Sequence, residues 1–439
     1  MMRKITLLFT MLTFVSLLGV SQTQLTWRFA RPQVIAGTPD IFQFDVEVKA
    51  DVAGSFQRDL QVYFDYNTLA FGSDIVANGK VSVSNLTLMD NFYFVVNSAD
   101  NTNSKFAVIT EATNEMSQIG SATFFNEVST SFTGFLRFQI EILDNNQLAG
   151  VSFDQALMNG GQYMQSGSNT DPIAYVNPSL YENSLASSSL KGLEFSINCF
   201  LEGPYDIGTG STMNTDLLTG NYLPMNQPFN PALPYYDNAS PEWLYSGTES
   251  VATFPSNTVD WVLVQLRDAD IPANATSATI VGSTPAFLLN DGTIVGLDGN
   301  ALVMKQAYNQ NLYMVVYHRN HLAIMSNYNM GLSSTGNYVY NFSDDVNKVF
   351  GGVNGFKDMG DGVFGLVAAD GNANGLVQSS DEQLVWKIEL GTSGYLGGDF
   401  SLNGLIQSDD ENNLWKINSG AGGQVPGKST IEYVSQVPK

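Results

Sequence analysis

The chain has 439 residues, of which 42 are acidic and 19 are basic, so its formal net charge at pH 7 is −23. A protein this negative repels nucleic acid and anionic membrane surfaces, which excludes both as partners. A single cysteine, Cys199, excludes a disulfide framework, and the length predicts about three domains.

The N-terminal segment has the pattern of a secretory signal peptide. Arg3 and Lys4 precede an apolar run at residues 5–20, and Ser21 and Gln22 follow it. We expect residues 1–22 to be a cleaved signal peptide; an uncleaved anchor is the alternative, although the run is shorter than the ~20 residues of a spanning helix. No later segment is long and apolar enough, so we expect a secreted protein, extracellular or at the cell surface, without a membrane span when mature.

Residues 25–183 are predicted to form a β-sandwich. Apolar and polar residues alternate at residues 42–48 and again at residues 136–142, which is typical of half-buried strands. Further strands are expected at residues 60–66, 93–96 and 106–110. Because no stretch has a 3.6-residue period, two packed antiparallel sheets are the natural architecture.

The order of these strands resembles that of cohesin modules. The segments that carry the resemblance are FQFDVEVKA at residues 42–50, LQVYFDYNTL at residues 60–69 and the glycine-led GFLRFQIEIL at residues 134–143. The resemblance implies a cohesin-like β-sandwich. A generic sandwich is the alternative, because alternating strands occur in every fold of this kind.

Residues 191–367 are predicted to form a second β-rich domain, after a serine-rich linker at residues 184–189. Strands are expected at residues 193–201, 261–266, 286–289 and 312–317, and Asn290-Asp291-Gly292 is a typical hairpin turn. Residues 200–228, with VDWVLVQLRDA and HRNHLAIMS, resemble an uncharacterised domain found beside calcium-binding repeats in large bacterial secreted proteins. The resemblance implies a place in the chain and no activity.

The most specific motif occurs twice, as DGNANGLVQSSD at residues 370–381 and as DFSLNGLIQSDD at residues 399–410. Each copy has oxygen-bearing side chains at positions 1, 3 and 5, glycine at 6 and a carboxylate at 12, which is the spacing of a calcium loop. Position 7 would add a backbone carbonyl and position 9 a side chain acting through water. The predicted ligands of two Ca²⁺ ions are Asp370, Asn372, Asn374, Leu376, Gln378 and Asp381 in the first loop, and Asp399, Ser401, Asn403, Leu405, Gln407 and Asp410 in the second.

The segment after each loop also repeats, as LVWKI and then NLWKI 29 residues later. Loop and following helix therefore form one repeated unit. We expect the hydroxyl and carboxylate groups of residues 379–382 and 408–411 to cap the helices. With two carboxylates per loop, calcium affinity should lie near the roughly 10⁻⁴ to 10⁻³ M of extracellular modules.

These paired units, residues 370–418, resemble a type I dockerin, in which each calcium loop ends in Asp and one helix follows it. The resemblance implies a cohesin-binding module at residues 368–426, followed by a C-terminal tail at residues 427–439. Positions 10 and 11 read the partner in this family, and here they are Ser379, Ser380, Ser408 and Asp409. Ser401 departs from the usual Asp or Asn at position 3, so we expect weaker binding at the second site. Trp386 and Trp415 stand where many dockerins have smaller or basic residues, so a standard cohesin partner is not implied.

No catalytic signature accompanies these modules. His318 and His321 share the segment YHRNHL, and without further His or Cys clusters we expect them to make hydrogen bonds in a turn rather than to bind zinc. No G-x-S-x-G motif is present. Tyr235-Tyr236, Trp243 and Tyr245 suit either sugar stacking or core packing.

The sequence therefore predicts a mostly all-β protein, with two β-sandwich domains followed by a small α-helical calcium-binding module. We expect a noncatalytic protein that uses this module for protein-protein attachment or extracellular assembly, with a cohesin-like protein or a second copy of itself as partner. The alternative is a secreted carbohydrate-active enzyme or carbohydrate-binding protein, tethered by the module and acting on a polysaccharide.

Overall fold

The computed structural model describes residues 23–439, apart from residues 90–92, 103–104, 113–125, 160–161, 167–173, 176–178, 183, 211, 233–240 and 420–432. The expected signal peptide lies outside the described residues, as does much of the expected C-terminal tail. Within the described part, no helix combines the length and apolar character needed to cross a membrane.

The described part of the first domain consists of strands with two one-turn helices, α1 (Thr68–Phe71) and α2 (Gln155–Met158). Its strands are β1 (Leu25–Ile35), β2 (Ile41–Ala50), β3 (Ser55–Asp59), β4 (Gln61–Asp65), β5 (Val81–Asn85), β6 (Tyr93–Thr102), β7 (Lys105–Ala112), β8 (Thr133–Glu141), β9 (Ser152–Phe153), β10 (Tyr163–Ser166), β11 (Ala174–Tyr175) and β12 (Leu180–Glu182). They form sheets in the orders β12-β1-β2-β8-β5, β6-β7-β4-β9 and β11-β10-β3. Strand β12 runs parallel to β1, and β1, β2 and β8 are antiparallel.

Aromatic side chains join the two larger sheets. Phe44 and Phe138 belong to the five-stranded sheet, and both contact Phe64 of the four-stranded sheet edge to face, with ring centroids 5.5 and 5.1 Å apart. Such pairs add to the stability that burial of the rings provides. The sandwich architecture and the mostly-β class predicted from the alternation are confirmed.

The prediction that β2 is half-buried is wrong. Its polar residues Asp45 and Glu47 are as buried as the phenylalanines beside them. The reason lies in the neighbouring strands: Arg137 of β8 and Arg31 of β1 donate to Asp45 at 2.7 and 2.6 Å, and Arg28 donates to Glu47 at 2.7 Å. Ion pairing thus covers the face that the sequence pattern assigned to solvent.

The second domain is built on one large sheet and two separate hairpins. Its strands are β13 (Leu193–Asn198), β14 (Tyr205–Asp206), β15 (Thr212–Met213), β16 (Thr258–Ala269), β17 (Ile280–Leu289), β18 (Thr293–Val295), β19 (Leu302–Met304), β20 (Asn311–Tyr317), β21 (Ile324–Met325), β22 (Gly331–Leu332), β23 (Tyr338–Asn341), β24 (Phe356–Gly360) and β25 (Val363–Leu366). The order in the large sheet is β21-β20-β16-β17-β18-β13-β23-β22, with β19 paired to β13, and the hairpins are β14-β15 and β24-β25. Its helical turns are α3 (Asp216–Thr219) and the 3₁₀ turns Ile207–Thr209, Pro272–Asn274, Ser277–Thr279, Val346–Lys348 and Gly352–Asn354.

The predicted hairpin turn forms within this domain, and the serine-rich segment joins it to the first domain. Gly292, at φ +85°, closes the predicted hairpin turn between β17 and β18. The serine-rich segment packs against the first domain, since Leu185 bridges Val151 and is buried.

The C-terminal module contains two short helices. Each starts with two α-helical residues, at 379–380 and 408–409, passes through a π-type turn, Asp381–Trp386 and Asp410–Trp415, and ends as Lys387–Glu389 and Lys416–Asn418. The predicted capping is confirmed for two carboxylates: Asp381 and Asp410 accept from the N–H groups of Gln378 and Gln407, which directly precede the helices, at 2.7 and 2.9 Å. Ser380 and Asp409 make no side-chain cap hydrogen bond.

The core of the module is shared with the second domain. Trp386, Trp415 and Phe400 pack in one cluster with Leu322 and Val367, which belong to the preceding β-rich segment. The loops are therefore set against the second domain.

Candidate metal centre

In the first loop, the carboxylates at positions 1 and 12 hold the backbone in a tight curl. Asp370 accepts hydrogen bonds from the N–H groups of Asn374 and Gly375 at 3.0 and 2.9 Å. Asp381 accepts from the N–H groups of positions 3 and 9 at 3.1 and 2.7 Å. Both carboxylates are buried.

The second loop repeats this pattern atom for atom. Asp399 accepts from the N–H groups of positions 5 and 6 at 3.0 and 2.9 Å. Asp410 accepts from those of positions 3 and 9, both at 2.9 Å. The backbone conformations match as well, because position 4 has φ +53° and +59° (Ala373 and Leu402) and the glycine at position 6 has φ +84° and +79°.

The neutral side chains at positions 3 and 5 stay within the loops. Asn372 donates through Nδ2 to the hydroxyl of Ser380 at 2.9 Å and accepts at Oδ1 from the N–H of Asn374 at 3.2 Å, which orients its amide. Position 5 accepts from the N–H of position 7 in both loops, at 3.0 and 2.8 Å. In the second loop, the hydroxyl of Ser401 lies 3.5 Å from Asp399 Oδ1.

The backbone carbonyls at position 7 are not used by the strand pairing around them. Leu376 lies opposite Val434, and Leu405 lies opposite Ser393, each in an isolated antiparallel bridge. The hydrogen bonds of both bridges are made by the flanking residues, such as the N–H of Gly394 to the carbonyl of position 6 at 2.9 Å. In a pair of this kind the N–H and C=O of the central residues point away from the partner strand. The strand pairing therefore leaves these two carbonyls for a ligand.

Position 9 joins the two loops to each other. The indole N–H of Trp386 donates to the backbone carbonyl of Gln407, and that of Trp415 donates to the carbonyl of Gln378, both at 2.9 Å. The two repeats are thus related by an approximate two-fold arrangement, in which each helix supports the opposite loop.

The electrostatics of the loops are those of buried carboxylates with few opposing charges. Burial raises the pKa of Asp381 to about 6 and that of Asp399 to about 7, the latter against the opposing effect of Arg319. Burial also raises the pKa of Asp410. The pKa of Asp370 is raised well above its usual value, first by burial and then by the charge of Asp381.

The donor set fits calcium better than a transition metal. Each loop gathers two carboxylates, side-chain oxygens at positions 3 and 5 and a backbone carbonyl, all hard oxygen ligands. Among the described residues, no group of three or more His, Cys, Asp and Glu side chains is placed to hold a metal ion. A calcium site here would therefore depend on neutral oxygens as much as on carboxylates.

Both histidines lie in a buried turn beside the module, as predicted. His318 Nε2 lies 3.2 Å from Asp260 Oδ2, and His321 Nε2 accepts from the N–H of Gly203 at 3.1 Å. Burial lowers the pKa of both imidazoles, and that of His321 falls well below its usual value. Both rings are therefore neutral hydrogen-bonding groups at pH 7.

The residue between these histidines reaches both loops. The backbone carbonyl of Asn320 accepts from the N–H of Asp370 at 3.2 Å, and its side-chain amide donates to the carbonyl of Asp399 at 2.7 Å. The second domain also covers both position-6 glycines, since a β-carbon at Gly375 would overlap the carboxyl of Glu242, and one at Gly404 would overlap the ring of Tyr222. Sequence reasoning missed all three contacts because they come from distant residues without a motif.

The predicted partner-reading residues are all at least partly exposed. Ser379 and Ser408 are exposed, while Ser380 and Asp409 are half-buried. One turn further along the first helix, Leu384 and Ile388 leave 67 and 71 % of their surfaces exposed. Residues four apart share a helix face, so these two side chains form an outward apolar surface.

Two of the aromatic residues considered for sugar stacking are described, and both make hydrogen bonds within the protein. Trp243 is buried, and its indole N–H donates to the carbonyl of Phe229 at 2.8 Å. Tyr245 donates to Glu249 at 2.5 Å. Tyr235 and Tyr236 lie outside the described residues.

Comparison with known proteins gives little further information. No protein-family profile matches the chain, and no curated protein matches it. Several solved structures are similar to part of it, and two of them are cohesin modules. One is the second type II cohesin module from the cellulosomal adaptor ScaA scaffoldin of Acetivibrio cellulolyticus, with 11 % identity, a TM-score of 0.25 and coverage of 37 % of this chain and 94 % of that one.

The other is a cohesin module from a family 33 glycoside hydrolase of Clostridium perfringens. It has 10 % identity and a TM-score of 0.23, and the match covers 36 % of this chain and 98 % of that one. These values are too low to place the chain in a family.

Proposed function

We propose that the protein is a secreted, noncatalytic calcium-binding protein, in which residues 370–418 form a dockerin-like module that binds two Ca²⁺ ions and attaches the protein to a partner. The observation that carries the proposal is the matched pair of loops. In each, two buried aspartates accept hydrogen bonds from N–H groups of their own loop, while the strand pairing leaves the carbonyl at position 7 for a ligand.

Calcium would supply the positive charge that neutralises the buried carboxylates, a requirement that Arg319, 3.9 Å from Asp399, meets only in part at the second loop. Burying a charge without a partner is costly, and a bound divalent cation removes that cost. Because the ion binds the folded loops and not the unfolded chain, it stabilises the fold by mass action. The residues that would hold it are those at positions 1, 3, 5, 7 and 12 of each loop.

The attachment surface would be the outer face of the helices. Ser379, Ser408, Leu384 and Ile388 all face solvent there, while the loops are turned towards the second domain. Calcium would fix the loops on one side and so present a rigid face on the other. The partner we propose is a cohesin-like protein, or a second copy of this chain.

Equilibrium dialysis of the mature chain against millimolar calcium tests the calcium assignment. We expect two bound ions per chain, and one after Asp370→Asn with Asp381→Asn. Failure of the unaltered chain to retain any calcium would contradict the proposal. The carbohydrate-active alternative stays a prediction, and binding and hydrolysis assays on a polysaccharide panel test it.

A further inference from the structure

Arg319 lies at the boundary between the second domain and the second loop. Its side chain is buried, and Nε donates to Asp260 Oδ2 at 3.0 Å while Nη1 donates to the carbonyl of Leu396. The ring of Tyr395 stacks on the guanidinium, with 4.1 Å between its centroid and the guanidinium carbon. Three contacts thus fix the guanidinium in place.

The remaining nitrogen of this guanidinium is aimed at the second loop. Arg319 Nη2 lies 3.9 Å from Asp399 Oδ2, the carboxylate at position 1. Nη2 is buried, and no group in the described part of the chain accepts a hydrogen bond from it. It therefore acts on Asp399 by charge alone. Because a guanidinium does not lose its proton in proteins, this charge is permanent.

The first loop has a charge of opposite sign in its surroundings. There, Glu242 donates its backbone N–H to the carbonyl of Ala373 at 3.0 Å, and its carboxyl group covers Gly375. The charges of Arg267 and Lys439 act on Glu242 and offset part of its effect. The two loops have the same internal geometry, yet the second domain places a carboxyl against one and a guanidinium against the other.

Resting on the calcium-binding function proposed above, we propose that Arg319 is a built-in competitor of calcium at the second loop, so that the first loop binds the ion tightly and the second binds it weakly. An ion at the second loop must share Asp399 with a fixed positive charge in a buried site, where charges are poorly screened. The first loop carries no such cost. The second loop is then the site that responds to changes in calcium concentration, while the first stays filled.

The serine at position 3 of the second loop is also expected to weaken calcium binding there, but its effect can be separated from that of Arg319. Ser401 belongs to the loop itself, whereas Arg319 acts from 80 residues away through space. Changing Arg319 alone therefore isolates the contribution of the second domain.

Calorimetric titration of the full mature chain with calcium chloride tests the proposal. In a background where Asp370→Asn and Asp381→Asn disable the first loop, we expect Arg319→Gln to raise the affinity of the second loop at least tenfold. Arg319→Lys, which keeps the charge, should restore weak binding. Lys305→Gln, which removes one positive charge far from the loops where Lys305 pairs with Asp40 at 2.8 Å, is the control and should change the affinity less than twofold.

Arg319→Gln leaves Asp260 without its cation, so a second variant guards against misfolding. Asp260→Asn with Arg319→Gln removes the pair together and should raise the affinity to the same extent. An affinity of the second loop that stays within twofold in a folded variant would overturn the inference, as would equal affinities of the two loops in the unaltered chain. Absence of calcium binding at both loops would instead overturn the proposed function, and this inference with it.

Discussion

Trp386 and Trp415 exchange equivalent hydrogen bonds across the C-terminal module, each indole N–H reaching the position-9 carbonyl of the opposite loop at 2.9 Å. The helix that follows one loop therefore supports the other loop. This arrangement explains why two loops with only two carboxylates each occur as a pair. Folding of either one lowers the conformational cost of ordering the other.

These reciprocal indole hydrogen bonds predict that Trp386→Phe weakens calcium binding at the second loop, although Trp386 belongs to the first repeat. The substitution leaves the carbonyl of Gln407 without its donor, a loss of about 1–3 kcal/mol of stability for a buried group. Tyr338→Phe is the matched control, because it removes a buried side-chain hydrogen bond to a backbone carbonyl, that of Pro32, at the boundary with the first domain and away from the loops. We expect both variants to lower the thermal midpoint, and only Trp386→Phe to lower calcium affinity in calorimetry. Equal affinities in the two variants would contradict the coupling.

Two glycines with the same backbone conformation should respond differently to alanine. Gly375 and Gly391 have φ +84° and +85°, but a β-carbon at Gly375 overlaps the Glu242 carboxyl, whereas one at Gly391 meets nothing within 4 Å. Gly391→Ala should cost only the strain of a left-handed residue, about 1–2 kcal/mol. Gly375→Ala should cost more and should weaken calcium binding at the first loop. Denaturant unfolding of both variants in calcium measures the difference, and equal losses would show that Glu242 moves aside freely.

The buried carboxylates predict that calcium reverses the pH dependence of stability. Burial raises the pKa of Asp381 to about 6 and of Asp399 to about 7, above the ordinary value of 3.8. Without calcium, the folded chain therefore binds protons more tightly than the unfolded chain, and these groups stabilise it fully only below about pH 4. That contribution is lost as the pH rises through 6 to 7.

With calcium, the same carboxylates must be ionised to bind, so stabilisation should grow over this range. Thermal unfolding at pH 5 and pH 8, in calcium and in chelator, measures both trends. The increase in thermal midpoint that calcium produces should be larger at pH 8. The control, Asp399→Asn with Asp410→Asn, should lose part of this increase. An increase that is larger at pH 5 would contradict the assignment.

The outward apolar surface predicts calcium-dependent association. If a second copy of the chain is the partner, sedimentation should show larger species in calcium than in chelator, and Leu384→Glu with Ile388→Glu should abolish them. Ile271→Glu is the matched control, because Ile271 of the second domain is also half exposed and lies away from the module. Association that persists in the double variant would exclude this surface, and a monomer under all conditions would exclude a second copy as the partner.

How far the sequence predicts this structure depends on the distance between the interacting residues. Each loop spans only twelve residues, so the residues that form it are close in sequence. In the first loop, Gly375 permits the turn, and Asp370 and Asp381 close the loop. The strands follow from local alternation too. The burial of Asp45 did not, because Arg137 approaches it from a strand 92 residues away.

The surroundings of the loops were not predictable for the same reason. Asn320, Arg319 and Glu242 come from another domain and carry no motif of their own, so no local pattern indicates that they meet the loops. The sequence singles out His318 and His321 as the only two histidines. The residues that reach the loops are the two between them, Arg319 and Asn320. The helices were predicted as capped, and Asp381 and Asp410 do cap them; the same carboxylates also accept from position 3 and so close the loops, which the capping pattern alone does not indicate.

The most direct test of the account is calorimetric titration of the mature chain with calcium, loop by loop. We predict two binding events in the unaltered chain, only the weaker one after Asp370→Asn with Asp381→Asn, and only the tighter one after Asp399→Asn with Asp410→Asn. Heats of binding that are absent in the unaltered chain, or that survive unchanged in both pairs of variants, would contradict the assignment of these loops as calcium sites.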